Sequence, residues 1–451
     1  MPLVSVILGV VLLLILMMLF NFSAFTSLII SSLTVGMLEG MTPLEATKAV
    51  EKGLGNSAGS LMLVIIFGAA VGKLLTDTGG AQRIAETMVN KFGEKHVQLA
   101  SVITSIIVGI AMFFETGIAM FFETGIVVLI PLVFSIAVVA GVPVLYVGLP
   151  VIAALITMHG FVPPHPGATA VAEIFKANIG MTLALGILVA IPSIFLAGVV
   201  YTRLLRRFAP KGFLNIRIPK KLYTQKLFRE EELPSFTRSI VIAIMPICFI
   251  LLKTIIDIIT PDSKIRIITD FLGSAGPALF ITFLIASIVL GITKGKKVKD
   301  IGNILQESTA NIAMILLIIA GGGAFKEVLI ESHIDKYVSG LMANMPLSPL
   351  LLTWVIALVL RISLGSATVA SMTAASIAAP LVHVAHISPE LMTLAAGAGS
   401  IGLSHVNDAG FWIVKEYFNM SMKKTFSTWT VLTTIIAVVG LLGVLVLDIF
   451  L

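Results

Sequence analysis

The sequence predicts an all-α polytopic membrane protein: about ten transmembrane helices plus two re-entrant hairpins, arranged as two inverted repeats. Three observations carry that expectation. Of 451 residues, 57% are hydrophobic and only 12% are charged, and the mean hydropathy is +1.06. A soluble domain usually carries about 25% charge, so a soluble enzyme, a disordered chain and a nucleic-acid binder are excluded. Apolar runs long enough to cross a bilayer recur along the chain. The polar interruptions of the first half recur in order in the second.

The runs lie at about 3–21, 24–38, 57–77, 143–160, 177–203, 237–260, 269–293, 309–330, 388–403 and 425–448. The run at 3–21 is read as the first span, because no basic residue precedes it and no small-residue cleavage site follows. Two further apolar regions are broken. Glu115 and Glu123 interrupt 97–140, and Arg361 with a Gly/Ser/Thr run interrupts 347–385. Each reads as two ordinary spans or as a hairpin of two half-helices, so the total is ten helices with two hairpins or 12–14 spans. The single cysteine, Cys248, lies inside an apolar run and excludes a disulfide framework and a cysteine metal site.

Basic residues set the expected orientation. Segment 204–236 is the longest polar stretch and is rich in Lys and Arg, which assigns it to the cytoplasm as the linker between repeats 1–203 and 237–451. Alternating outward from it puts 78–96, 294–308 and 415–424 on the same side. Together these inside segments hold eighteen Lys and Arg against five in the outside loops. That asymmetry follows the positive-inside rule and places both termini in the periplasm.

The repeat is visible in "GAAVGKLLTDT" (Gly68–Thr78) against "GGAFKEVLIES" (Gly322–Ser332). A broken apolar region ending in Pro-Leu-Val follows in each half, at Pro131–Val133 and Pro380–Val382. Each half then reaches a polar cluster, "HGFVPPHPG" at 159–167 and "SHVNDAG" at 404–410. An odd number of crossings per half makes the halves inverted. Inverted repeats with helices broken at corresponding positions point to a secondary transporter whose substrate binds between the breaks.

Polar groups in these breaks are the candidate site, since charge at the bilayer centre is costly and marks function or pairing. In "FFETG", Glu123 with Thr124 and Gly125 sits midway through the first broken region, and an apolar setting suits a glutamate to carry a proton. In "HGFVPPHPGATA", Pro163, Pro164 and Pro166 cannot continue a helix, so backbone groups are freed beside His159 and His165. In "RISLGSATVASMTAAS", Gly365, Ser366 and Thr368 allow close backbone approach, and the helix that starts there offers N–H groups to an anion. Arg361 reads as the counter-charge for a carboxylate, as a cation that snorkels to the interface, or as the partner of a buried Glu. In "SHVNDAG", His405, Asn407 and Asp408 form the repeat partner of the proline cluster. There is no HExxH or Walker A motif, so no metal, cofactor or ATP site is expected.

At these clusters the sequence resembles the gluconate permease (gluconate:proton symporter) family of bacterial inner-membrane transporters. The resemblance runs nearly end to end and rests on "GGAQRIA" (79–85), "PVLYVG" (143–148), "HGFVPPHPG", "EEELPSF" (230–236), "AGGGAFKEVL" (320–329), "LGSATVA" (364–370) and "SHVNDAGFW" (404–412). It implies proton-coupled uptake of gluconate or a related sugar acid, no enzymatic activity, and an elevator-like division into scaffold and transport domains. It also favours reading 97–140 and 347–385 as hairpins with tips near Glu123 and Ser366, and it allows a homodimer. Three departures stand out. The octapeptide "GIAMFFET" occurs in tandem at Gly109–Thr116 and Gly117–Thr124, duplicating the carboxyl as Glu115 and Glu123 and adding about 12 Å of helix. Thr116 and Thr124 stand where the family usually has Val, and Ala168 and Ala409 where it usually has Pro.

The leading expectation is a proton symporter for gluconate-like sugar acids. Glu123, Glu115, Asp408 and His405 are the candidates for proton coupling. Arg361 and the helix ends at Gly365, Ser366 and Thr368 are assigned to the carboxylate, and His159, His165, Asn407, Thr124 and Gly125 to the rest of the substrate. The alternative keeps the fold and changes the ligand to a hexuronate, a short hydroxy acid or D-serine. An intramembrane enzyme and a passive channel rank below both.

Overall fold

The computed structural model describes residues 2–92, 97–111, 142–208, 228–260, 263–333, 348–384, 387–406 and 408–451, and all regular structure among them is helical. The expectations for Glu115, Glu123, Thr124, Gly125 and Asn407, and for the tip of the first hairpin, fall outside the described residues.

Helices α1 (Pro2–Met18) and α2 (Ala24–Leu38) are short and apolar. Helix α3 (Pro43–Asp77) is 35 residues long and bends by 41° between Gly59 and Leu61. It begins well before the apolar run expected at 57. The signal is local: Thr42 accepts from the Glu45 N–H at 3.3 Å, Glu45 accepts from the Thr42 N–H at 2.8 Å, and Pro43 occupies the first turn. This capping box starts a helix whatever the hydropathy that follows. Helices α4 (Gly80–Phe92) and α5 (Val97–Ala111) precede α6 (Val144–Phe161). A short break leads to α7 (Pro166–Phe175), and α8 (Ile179–Phe208) passes through a π turn at Phe195–Val200.

The second half runs α9 (Phe236–Ile259), α10 (Arg266–Gly273), α11 (Ala275–Lys294) and α12 (Val298–Glu331). The run expected at 269–293 is thus divided, because Ser274 takes an extended conformation (ψ 133°) and ends α10. Helix α12 starts eleven residues before the expected 309, in the segment assigned to a loop, with Asp300 accepting from the Lys297 N–H at its start. Then follow α13 (Pro349–Leu364), α14 (Ala367–Ala378), α15 (Leu381–Val384), α16 (Pro389–Ile401), α17 (Ala409–Tyr417) and α18 (Met422–Asp448).

Among the described residues six helices are long and apolar enough to cross a membrane, or seven if the bent α3 counts as one span. The chain is a multi-pass membrane protein. Helices α3 and α12 pack along each other in opposite directions. An ion pair marks each end of the contact: Lys73–Glu307 at 3.1 Å and Lys52–Glu327 at 2.7 Å. Helix α14 has 12 residues, about 18 Å, too short for a hydrocarbon core of about 30 Å. It packs against α13, with Gly365 and Ser366 as the connecting turn.

The two broken helices cross at their glycines. A Cβ on Gly397 of α16 would lie 2.1 Å from the Gly160 carbonyl oxygen of α6. Only two residues without side chains allow this approach, and it draws the breaks at 162–165 and 402–408 together. On another face, two of the sequence motifs prove to be one contact. Gln82 of "GGAQRIA" exchanges two 3.0 Å hydrogen bonds with the Phe228 backbone. Arg83 bonds the Pro234 carbonyl at 2.9 Å and the Glu230 carboxylate at 2.6 Å. Segment 228–236, including "EEELPSF", is thereby fixed to the start of α4.

Candidate substrate site

The site is built from helix ends. Val162 takes an extended conformation and Pro163, Pro164 and Pro166 follow, so α6 stops at Phe161 and α7 starts afresh with Pro166 in its first turn. His165 is the N-cap residue of α7, but its side chain does not cap it. Gly365 ends α13 with φ +74°, a left-handed geometry suited to glycine, and its N–H returns to the Arg361 carbonyl at 3.0 Å. Ser366 then caps α14, accepting from the Val369 N–H at 3.3 Å.

The first turns of α7 and α14 meet. A Cβ on Gly167 would sit 3.8 Å from Thr368 Oγ1 and 3.8 Å from His159 Cε1. The His159 and His165 rings lie edge to face, 5.9 Å apart. The opening N–H groups of a helix have no intrahelical acceptor, and each N-terminus carries about half a positive charge. Two such ends converge here. Thr368 is 4% exposed, and its Oγ1 has no hydrogen-bond partner among the described residues.

Arg361 and Asp408 are joined in a buried ion pair, Nη2 to Oδ2. Arg361 Nη1 also donates to the Gly365 carbonyl, which holds it against the C-terminal end of α13. Its Nε has no partner among the described residues. Asp408 accepts from Ser404 Oγ and from the Gly410 N–H at 2.9 Å. Ser404 in turn accepts from Trp429 Nε1 at 2.6 Å.

The structure therefore brings together His159, His165, Gly365, Ser366 and Thr368, and it couples Arg361 to Asp408. His405 is half-buried in the second break. Sequence reading missed Ser404 and Trp429. The serine adjoins the "SHVNDAG" histidine, but a tryptophan 25 positions later carries no local signal that it reaches back. No group of three or more His, Cys, Asp and Glu able to hold a metal occurs among the described residues. His159, His165, Arg361, Thr368 and Asp408 are each at most 8% exposed, so this conformation is closed over them.

Comparison with known proteins assigns the chain. The model of the GntP family permeases matches residues 1–450. The chain belongs to the GntP permease family. It is 47% identical over 449 residues to a high-affinity gluconate transporter of Escherichia coli K12, covering 99% of both chains. It is 46% identical to the Gnt-II system L-idonate transporter of the same organism, again over 99% of both. A gluconate permease of Bacillus licheniformis is 44% identical over the full length of each. As a GntP permease the protein is a membrane transporter and not an enzyme. The fold is shared with the Alcanivorax borkumensis YdaH transporter (TM-score 0.57, 15% identity, 94% of this chain and 96% of that one). It is also shared with Neisseria gonorrhoeae MtrF (TM-score 0.63, 15% identity, 90% and 85%).

Proposed function

We propose that this permease takes up gluconate, or a closely related sugar acid, in symport with protons across the bacterial inner membrane. The observation that carries the reading is the meeting of two helix N-termini around the buried Thr368 hydroxyl, which has no hydrogen-bond partner among the described residues. Such ends favour an anion, and a hydroxyl buried without a partner suits a polyhydroxy ligand. The relatives' substrates point the same way. Arg361 and the α14 turn at Gly365, Ser366 and Thr368 hold the carboxylate, and His159, His165 and Asn407 meet the hydroxyls, with Thr124 and Gly125 approaching from the first hairpin. Protons travel on an ionisable group of the breaks, for which Glu115, Glu123, Asp408 and His405 are the candidates.

The proposal includes an inverted pair of repeats, 1–203 and 237–451, joined by the linker 204–236. Hairpins at 97–140 and 347–385 move with the transport domain against a scaffold, both termini lie in the periplasm, and the working unit is a homodimer. The closed site supports a moving element, because an occupant enters only when helices part. The close L-idonate relative favours a second substrate reading, in which an epimeric aldonate is preferred. Proteoliposome uptake tests both. Gluconate accumulation should follow an imposed pH gradient, and accumulation indifferent to the gradient would end the coupling proposal. A ligand panel ranked by thermal shift separates gluconate from L-idonate, since a ligand at 100 times its Kd stabilises by about 2.7 kcal/mol.

A further inference from the structure

Among the described residues, Arg361, the Ser404 hydroxyl and the Gly410 N–H donate to the Asp408 carboxylate. Arg361 has no acceptor atom, the Gly410 N–H only donates, and the Trp429 indole only donates. Trp429 gives its N–H to Ser404 Oγ at 2.6 Å, which leaves the serine proton directed at Asp408 Oδ2. Arg361 Nη2 meets the same oxygen, and the Gly410 N–H meets Oδ1 at 2.9 Å. Ser404 is itself fixed from α18. Its carbonyl accepts from Thr430 Oγ1 at 2.5 Å, and its N–H reaches Thr433 Oγ1 at 3.3 Å. A proton placed on this carboxyl would find only the Ser404 oxygen as an acceptor among these groups. Of the other ionisable groups described near it, His405 lies in the same break and Arg361 comes from α13.

We infer that Asp408 is a positioning residue and not the carrier of the transported proton. Together with Ser404 and Trp429 it orients the Arg361 guanidinium at the hairpin tip. Two of the arginine's nitrogens are taken by Asp408 and the Gly365 carbonyl, so the plane of the group is set. The buried Nε, without a partner among the described residues, remains as a donor for the substrate anion. This rests on the proposed anion site for its consequence, but not for the pairing of Asp408 with Arg361. Among the acidic candidates it moves the coupling role to Glu115 and Glu123.

The test compares wild type, D408N and S404A in proteoliposomes in two modes: gluconate exchange at equal pH, and uptake driven by a pH gradient. D408N should raise the gluconate KM by about tenfold in both modes, the effect of one hydrogen-bonded charged contact, with the ratio of the two maximal rates unchanged. Exchange at the wild-type KM with gradient-driven uptake lost would overturn the inference. S404A, which alters no charge, should shift KM in the same way by less. Selective loss of gradient-driven uptake in S404A would equally overturn it.

A second arm needs no substrate. Asn is the isostere of a protonated Asp, so D408N should melt earlier than wild type because Arg361 loses its counter-ion. R361Q/D408N should regain part of the loss. Unchanged melting in D408N would mean that the carboxylate does not hold Arg361, and would overturn the inference. If wild type carries no gluconate in either mode, the proposed function fails, and the melting comparison still decides whether Asp408 holds Arg361.

Discussion

The crossing of the broken helices yields the sharpest prediction, because its two glycines are not equivalent. A methyl group on Gly397 would stand 2.1 Å from the Gly160 carbonyl oxygen, where ordinary contact begins near 3.4 Å. The helices α6 and α16 must then part by about 1.3 Å along that line, since a backbone oxygen cannot rotate away. Overpacking of this kind costs about 1–3 kcal/mol. The displacement is passed directly to His159 and the break that follows it, where a misplacement of about 1 Å can cost roughly 100-fold in rate. A methyl on Gly160 meets chiefly Ile401 Cδ1, at 2.2 Å, and lies 3.4 Å from the Gly397 oxygen. The tip of an isoleucine can move for about 0.5–1.5 kcal/mol. G397A should therefore lower both the melting temperature and the maximal uptake rate far more than G160A. The two variants would be compared by size-exclusion chromatography after heating and by proteoliposome uptake of labelled gluconate. Equal effects, or a harsher G160A, would refute the idea that backbone contact at Gly397 sets the geometry of the breaks.

Three further outcomes follow from other contacts. T368V removes a buried hydroxyl without a described partner, so melting should be unchanged or slightly higher while gluconate KM rises by the loss of about 0.5–1.5 kcal/mol of hydrogen bonding. R361K keeps the charge but cannot reproduce the paired bonds to Asp408 and the Gly365 carbonyl. It should lower melting and raise KM together, and preserved KM would remove Arg361 from the substrate site. Q82L breaks both bonds to Phe228 and should cost about 1–3 kcal/mol. Its effect should appear in the melting temperature with KM unchanged, because the contact lies away from the breaks.

The sequence made the breaks legible because prolines and glycines act through the backbone of their own segment. Pro163, Pro164 and Pro166 stop α6 at Phe161, and the turn at Gly365 and Ser366 separates α13 from α14, as the residue types require. Hydropathy was a poorer guide to where helices begin. Thr42 and Glu45 start α3 in a polar segment, and α12 likewise opens through polar residues before its apolar run. Pairing across the fold was not legible. Arg361 carried three readings in sequence, a substrate counter-charge, a snorkelling cation or the partner of a buried glutamate, and only the packing of α13 against the second break shows that it is buried and paired with an aspartate, Asp408. "GGAQRIA" and "EEELPSF" were likewise separate motifs until Gln82 and Arg83 were seen to hold Phe228, Glu230 and Pro234.

The pairing also bears on how an anion site serves transport. An isolated arginine in an apolar site would hold a carboxylate strongly and release it slowly. Here the full charge of Arg361 is already balanced by Asp408. The attraction left over comes from two helix N-termini, each about half a charge, and from directional donors such as Thr368 Oγ1. A carrier must both capture and discharge its substrate, so partial charges fixed in the backbone suit it better than a free cation. On this argument the ion pair weakens the site's hold on the anion while fixing the shape of the donors. Removing Asp408 then has two opposed effects, a freed positive charge and a lost orientation. The predicted rise in KM requires orientation to be the larger, as the two fixed bonds of the guanidinium suggest.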